Sequence, residues 1–142
     1  MAESPWPAVV DDLQLANPDW YVELEAEGVI YVDGHFTNAL RVAAQVITAA
    51  PKDATVAVRV QPERNRETIA IRHAGVLTVQ EPSGDRTIWR TYRLGGLVTP
   101  LALANDSGSA QRARIDPPPW HHPSQLAQDA FAAVGLQPGV GA

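Results

Sequence analysis

The 142-residue chain contains no cysteine, which excludes disulfides, thiolate metal sites and cysteine nucleophiles together. It also lacks any hydrophobic run close to the roughly 20 apolar residues that a membrane-spanning helix requires. Its first twelve residues hold three acids and no basic residue, unlike the start of a signal peptide. The length is that of one domain. These features predict a single soluble, cytoplasmic domain with no membrane contact.

Positive charge is absent from the first 33 residues, which hold eight acids and no Lys or Arg. Across residues 59–93 the balance reverses, with seven Arg against four acids. The net charge is −5, and nucleic-acid binding needs a basic surface, so we predict no nucleic-acid partner. The two regions are expected to lie on neighbouring strands whose exposed faces pair. The alternative is an Arg-lined face for an anionic ligand or an acidic partner.

Motifs of the common nucleotide-binding and zinc-hydrolase classes are also absent. The sequence has no phosphate-binding loop, no glycine-rich dinucleotide fingerprint, no paired-histidine zinc helix and no nucleophile elbow. His121 and His122 are adjacent, and in an extended segment they would point to opposite sides, so one ion cannot easily use both. We therefore predict no cofactor and no metal.

The longest and most apolar helical pattern runs from Asn38 to Ala50 and is stopped by Pro51. Thr37 or Asn38 is the expected cap. The polar residues within the pattern fall on one narrow stripe: Arg41, Gln45 and Thr48. A helix that is apolar around most of its circumference needs cover on most sides. We predict that it packs against a sheet, inside a curved one or under a second subunit.

Alternating apolar and polar residues predict strands on both sides of this helix. Two short strands before it should form a hairpin, at residues 20–26 and 29–32. Four strands after it should form an antiparallel meander, at residues 56–61, 69–73, 77–80 and 88–94. Residues 97–104 could add a last edge strand, with Pro100 restricting it to an edge or a bulge. His73 is expected to be half-buried and hydrogen-bonded.

The predicted fold is α+β, with an antiparallel sheet of about five or six strands packed around one central helix and short helices at both ends. The predicted organisation begins with a core domain at residues 1–104 and a proline-rich linker or arm at residues 105–123. A short C-terminal helix at residues 124–135 and a mobile tail at residues 136–142 follow. The N-terminal helix is expected over residues 5–16.

Asp33, Gly34 and His35 lie where a strand is expected to meet the central helix. Helix N-terminal amides could bind an anion there, and the imidazole could act as an acid or a base. The stretch GHFTNALRVAAQ, from Gly34 to Gln45, resembles the start of the central helix in hotdog-fold acyl-thioesterases and dehydratases, which carry a Gly-His element there. The resemblance implies an enzyme that acts on acyl thioesters, with Asp33 and His35 as its catalytic residues. The alternative for His35 is a turn histidine bonded to nearby backbone.

A non-catalytic role is favoured by the residues themselves, because the predicted central helix contains no Asp or Glu that could pair with His35. We predict an accessory or protein-interaction domain that self-associates or binds another protein. Aromatic anchors dominate interfaces. The candidate ligand- or partner-binding residues are Asn38, Trp6, Trp120 and Phe131. A small-molecule-binding barrel with an apolar pocket is a further alternative.

Overall fold

In the computed structural model, the described residues are 4–62, 66–96 and 98–105, together with 132, 134 and 135. The elements in these ranges follow in the order α1 (Trp6–Ala16), β1 (Tyr21–Ala26), β2 (Val29–Gly34), α2 (Ala39–Ala49), β3 (Val56–Pro62), β4 (Thr68–His73), β5 (Val76–Ser83), β6 (Arg86–Arg93) and α3 (Pro100–Asn105). The predicted α+β class is confirmed.

The six strands form one open sheet in the order β1-β2-β3-β4-β5-β6. Neighbouring strands are antiparallel except β2 and β3, which run parallel from Val29 opposite Ala57 to Gly34 opposite Pro62. The predicted hairpin, four-strand meander and antiparallel character of the sheet are confirmed, apart from this one parallel pair. The reason is that α2 carries the chain from the end of β2 back to the start of β3, as a parallel pair requires. Among the described residues, β1 and β6 are the unpaired edges of this open sheet.

The central helix α2 lies on one face of the sheet, against β3 and β4. Asn38 caps it, since its side chain accepts a hydrogen bond from the backbone N–H of Arg41 at 3.0 Å. The apolar positions are buried as predicted: Val42, Ala43, Ala44, Val46 and Ile47. Helices α1 and α3 also contact α2. The apolar surface of α2 is therefore covered by the sheet on one side and by contacts with α1 and α3 on others.

Helix α3 replaces the edge strand that the sequence predicts at residues 97–104. The Thr99 side chain accepts a hydrogen bond from the Ala102 N–H at 3.1 Å, and the Thr99 carbonyl accepts one from the Leu103 N–H at 3.0 Å. Pro100 suits the first helical position because its φ is preset and it needs no acceptor there. Alternating Leu and Ala fit a strand by pattern, yet both have high helix propensity. Leu103 is buried in the same core as α2.

The second face of the sheet, opposite α2, carries a smaller apolar cluster of Val29, Ala57 and Ile71. Val134 packs against this cluster, so part of the C-terminal region contacts the second face within the same chain. Apart from Asn105, Ala132 and Gly135, the remainder of the predicted arm, C-terminal helix and tail lies outside the described residues, and so do Trp120 and Phe131.

Acidic and basic strands pair across the second face, as the charge distribution predicts. Arg59 on β3 reaches across β2, and its Nη1 donates to both carboxylate oxygens of Glu25 on β1 at 2.7 and 2.8 Å. Its Nε and Nη2 donate to Glu67 at 2.9 Å. The guanidinium also lies 5.8 Å from the centre of the Tyr31 ring. The hydrogen bonds to Glu67, and then those to Glu25, raise the pKa of Arg59 against the lowering effect of burial.

Two buried polar atoms on β5, Thr78 Oγ1 and Gln80 Oε1, make no hydrogen bond with any described residue. Thr78 is 1% exposed. Because its hydroxyl is desolvated without compensation, we expect Thr78→Val, which keeps the shape, to raise the free energy of unfolding by about 1 kcal/mol. Urea denaturation measures this difference. Thr78→Ser is the matched control: it keeps the hydroxyl, loses a methyl group and should be less stable. A destabilised Thr78→Val would contradict the prediction.

Candidate functional site

The carboxyl ends of the parallel strands β2 and β3 lie side by side, with Asp33 opposite Gln61 and Gly34 opposite Pro62. From this edge the chain passes through residues 35–38 into α2. Ligands commonly bind where parallel strands end and a helix begins. Two open clefts flank this connection.

The first cleft, here called the Trp20 cleft, has a volume of about 280 Å³. It lies between the α1–β1 connection and the polar side of α2. Its aromatic wall consists of Trp20 and Phe36, whose rings meet edge to face with centres 5.7 Å apart. The lining residues are Asn17, Trp20, His35, Phe36, Thr37, Asn38, Arg41, Val42 and Gln45. Amides, one imidazole and one guanidinium thus surround an aromatic surface.

The lining of the Trp20 cleft contains no Asp or Glu, although the whole protein has a net charge of −5. Arg41 is exposed on the polar stripe of α2. Its guanidinium has no ion pair or hydrogen bond with another described residue. The N-terminus of α2 adds a partial positive charge nearby. The cleft therefore favours a negatively charged group.

The second cleft, here called the Arg66 cleft, has a volume of about 690 Å³ and lies between the start of α2 and the β5–β6 turn. Arg66 Nη2 donates to the carbonyl of Gly84 and to that of Arg86, which ties the β3–β4 loop to this turn. Glu81 pairs with Arg90 at 3.6 Å. Both charged lining residues are thus engaged with the protein. The rest of the lining comprises Phe36, Thr37, Asn38, Ala39, Leu40, Pro62, Thr68, Pro82 and Gly84.

Phe36, Thr37 and Asn38 line both clefts. The two spaces are therefore neighbours, separated only by this three-residue connection. Thr37 and Asn38 are exposed, so their polar groups lie at the boundary between the clefts.

The two residues that the sequence proposes as a catalytic pair have different surroundings. His35 lines the Trp20 cleft, whereas Asp33 lines neither cleft. The Tyr31 hydroxyl donates to Asp33 Oδ2 at 3.4 Å on the second face of the sheet. Burial, and then the charge of Asp33, raises the pKa of Tyr31. Acid–base catalysis by Asp33 and His35 stays a prediction, and no described contact between the two residues supports it.

The proposed partner-binding residues have different positions. Asn38 lies at the boundary of the two clefts and also caps α2. Trp6 is only 4% exposed and belongs to the main core, next to Gly28. Its ring is therefore a core element and not a surface anchor, because α1 packs this side of its helix onto the sheet. The other two residues, Trp120 and Phe131, lie outside the described ranges.

Sequence reasoning missed Trp20, Asn17 and Arg41 as site residues. Trp20 fits the apolar side of the first strand pattern, and Arg41 fits the solvated stripe of a core helix. The sequence did contain one indication of the site, because Arg41 lies on the polar side of α2 just after a strand-to-helix connection. The hydrophobic pattern does not indicate that the α1–β1 connection lies beside α2.

The chain matches no protein-family model, no curated protein and no solved structure. Within the described ranges, no helix has the length and apolarity needed to cross a membrane. The same ranges contain no group of three or more His, Asp or Glu side chains arranged to hold a metal ion. The two clefts are therefore the basis for a functional proposal.

Proposed function

We propose that the protein is a non-catalytic binding domain that takes an anionic group of a partner molecule into the Trp20 cleft. The observation that carries this proposal is the position of Arg41 in a cleft whose lining has no acid, in a chain of net charge −5. Anions are repelled by most of such a protein and attracted to this place.

The chemistry of the cleft fits a carboxylate attached to a flat or apolar group. An Arg guanidinium can bind a carboxylate through two parallel hydrogen bonds. Asn17 and Gln45 add side-chain amide donors to the same lining. Trp20 and Phe36 offer an apolar surface for the group that carries the charge.

The size of the Trp20 cleft fits one end of a larger molecule. Its volume of about 280 Å³ lies at the lower limit of pockets that enclose a whole drug-sized ligand, which begin near ~300 Å³. Recognition of one end of a partner agrees with the interaction role that the sequence favours. The partner can be another protein or a second copy of this chain. Self-association itself stays a prediction, since α1 and α3 already contact α2.

Benzoate tests the anion site, with the neutral and isosteric benzamide as its control. We expect benzoate to shift the backbone amide NMR signals of Asn17, Asp19, Trp20 and residues 35–38, whereas benzamide should shift them little. Arg41→Gln should weaken benzoate binding roughly tenfold, because a hydrogen bond to a charged group contributes about 1.5–3 kcal/mol. The matched control is Arg93→Gln, which changes an exposed arginine on β6 outside both clefts.

Two results would contradict the proposed function. One is equal affinity of benzoate for the wild-type protein and for Arg41→Gln. The other is a set of benzoate-induced shifts confined to residues outside the Trp20 cleft.

A further inference from the structure

We propose that the ligand is the carboxyl-terminal end of a polypeptide. Its terminal carboxylate binds Arg41 in the Trp20 cleft, and its preceding residues cross the 36–38 connection into the Arg66 cleft. This inference rests on the proposed function of the Trp20 cleft and adds the class of ligand.

A ligand that occupies both clefts must be longer than one that fills the Trp20 cleft alone. The Trp20 cleft has room for about one residue, whereas the Arg66 cleft is more than twice as large, at about 690 against about 280 Å³. Phe36, Thr37 and Asn38 line both, so a ligand that occupies both clefts lies over this connection. A chain molecule fits this shape better than a compact one.

The charges of the two clefts differ, and the difference suits a peptide end, which carries one terminal negative charge followed by a neutral backbone. Only the Trp20 cleft offers a cation without a described partner, at Arg41. In the Arg66 cleft, Arg66 is held by two carbonyls and Glu81 pairs with Arg90. A second anion of the ligand would therefore meet Glu81 and compete with two carbonyls for Arg66, which disfavours a polyanion such as a nucleic acid.

The walls of the Arg66 cleft suit apolar side chains near the peptide end. They include Phe36, Leu40, Pro62 and Pro82. A peptide backbone crossing between the clefts also needs hydrogen-bond partners. Thr37 and Asn38 are exposed polar residues at this crossing. Capture of a terminal carboxylate with pockets for preceding side chains is an established mode of peptide recognition.

Calorimetric titration of the full chain with three hexapeptides and one short ligand tests the inference. The peptides are Gly-Ser-Leu-Val-Ala-Phe with a free carboxylate, its carboxyl-terminal amide, and the free-carboxylate form in which Leu and Val are replaced by Asp. The short ligand is N-acetylphenylalanine. We expect the first peptide to bind at least about tenfold more tightly than N-acetylphenylalanine. The amide should lose about tenfold or more in affinity, and the Asp peptide should bind no more tightly than the short ligand.

One variant places an acid in the Arg66 cleft and leaves the Trp20 cleft unchanged. Pro82→Glu changes the β5 side of the Arg66 cleft, away from the N-terminus of α2. Pro82→Gln is its uncharged control. Pro82→Glu should weaken binding of the first hexapeptide about tenfold relative to Pro82→Gln. Binding of N-acetylphenylalanine should stay unchanged.

The outcomes separate this inference from the proposed function. If the hexapeptide and N-acetylphenylalanine bind equally, and both depend on Arg41, the peptide inference is overturned and the anion site stands. If the amide binds as tightly as the free carboxylate, the terminal anchor is wrong. If benzoate, N-acetylphenylalanine and the hexapeptide all fail to bind, both proposals are overturned.

Discussion

Arg72→Met is expected to lower the free energy of unfolding by about 3 kcal/mol, because one half-buried guanidinium donates hydrogen bonds to three carbonyls. Arg72 lies on β4 and donates to the carbonyls of Ile47 at 3.3 Å, Pro51 at 2.5 Å and Ala54 at 2.9 Å. These acceptors belong to the last turn of α2 and to the α2–β3 connection. The carbonyls of Ile47 and Pro51 also accept from backbone N–H groups, so the guanidinium adds a second, charged donor to each of them. Desolvation lowers the pKa of Arg72, and the charge of Asp53 partly opposes this. Met keeps much of the apolar stem and removes all the donors.

Urea denaturation of Arg72→Met and of Arg93→Met measures this effect. Arg93 is an exposed arginine on a neighbouring part of the sheet, so its replacement should change stability by less than about 0.5 kcal/mol. The free energy of unfolding of Arg72→Lys should lie between those of the wild type and of Arg72→Met, because one ammonium group cannot reach three acceptors in the same planar arrangement. Equal stabilities of the two Met variants would show that the three carbonyls are satisfied without Arg72.

Trp6→Ala is expected to lower the free energy of unfolding by about 4 kcal/mol. The substitution removes a large side chain that is only 4% exposed and belongs to the main core. The ring packs beside Gly28, which has a φ of +76°. A Cβ at residue 28 would lie 2.9 Å from the Thr55 carbonyl oxygen and 3.6 Å from the Trp6 ring. A glycine is therefore required by both the backbone conformation and the close approach of the chain.

Leu15→Ala is the matched control for Trp6 because it removes a large apolar side chain from the same helix at a position that is 80% exposed. Its stability should differ from wild type by less than about 0.5 kcal/mol. Trp6→Phe, a smaller change, keeps the protein folded for binding measurements and should leave benzoate affinity unchanged. If Trp6→Phe instead weakened ligand binding with little loss of stability, Trp6 would be a binding residue after all.

The sequence was sufficient for elements whose pattern had one interpretation. In α2 the polar residues fall on one stripe, Asn38 supplies a cap and Pro51 follows the end, so helix type and buried side agree with the structure. The strands from β3 to β6 alternate in hydrophobicity and are joined by short turns, so antiparallel neighbours were predictable. His73 is half-buried, and its Nδ1 lies 2.8 Å from Thr55 Oγ1, as expected for a satisfied histidine.

The sequence was insufficient where local patterns fit two structures. Leu and Ala over residues 101–104 suit a strand or a helix, and packing of Leu103 into the core accompanies the helix. The parallel pairing of β2 and β3 depends on where the chain returns after α2, which no local period encodes. Ile71 belongs to the apolar phase of its strand, yet it lies on the face away from α2, where it packs in the second apolar cluster and Val134 contributes cover.

The sequence by itself determined α2 with its cap at Asn38, and the antiparallel strands from β3 to β6. Only the tertiary structure decided that Arg41, Trp20 and Asn17 line one cleft, that Asp33 accepts a hydrogen bond from Tyr31, and that Trp6 is buried. The physical reason is that periodicity reports which side of an element meets an apolar environment. It does not report which other element supplies that environment. A binding cleft depends on which elements lie next to each other.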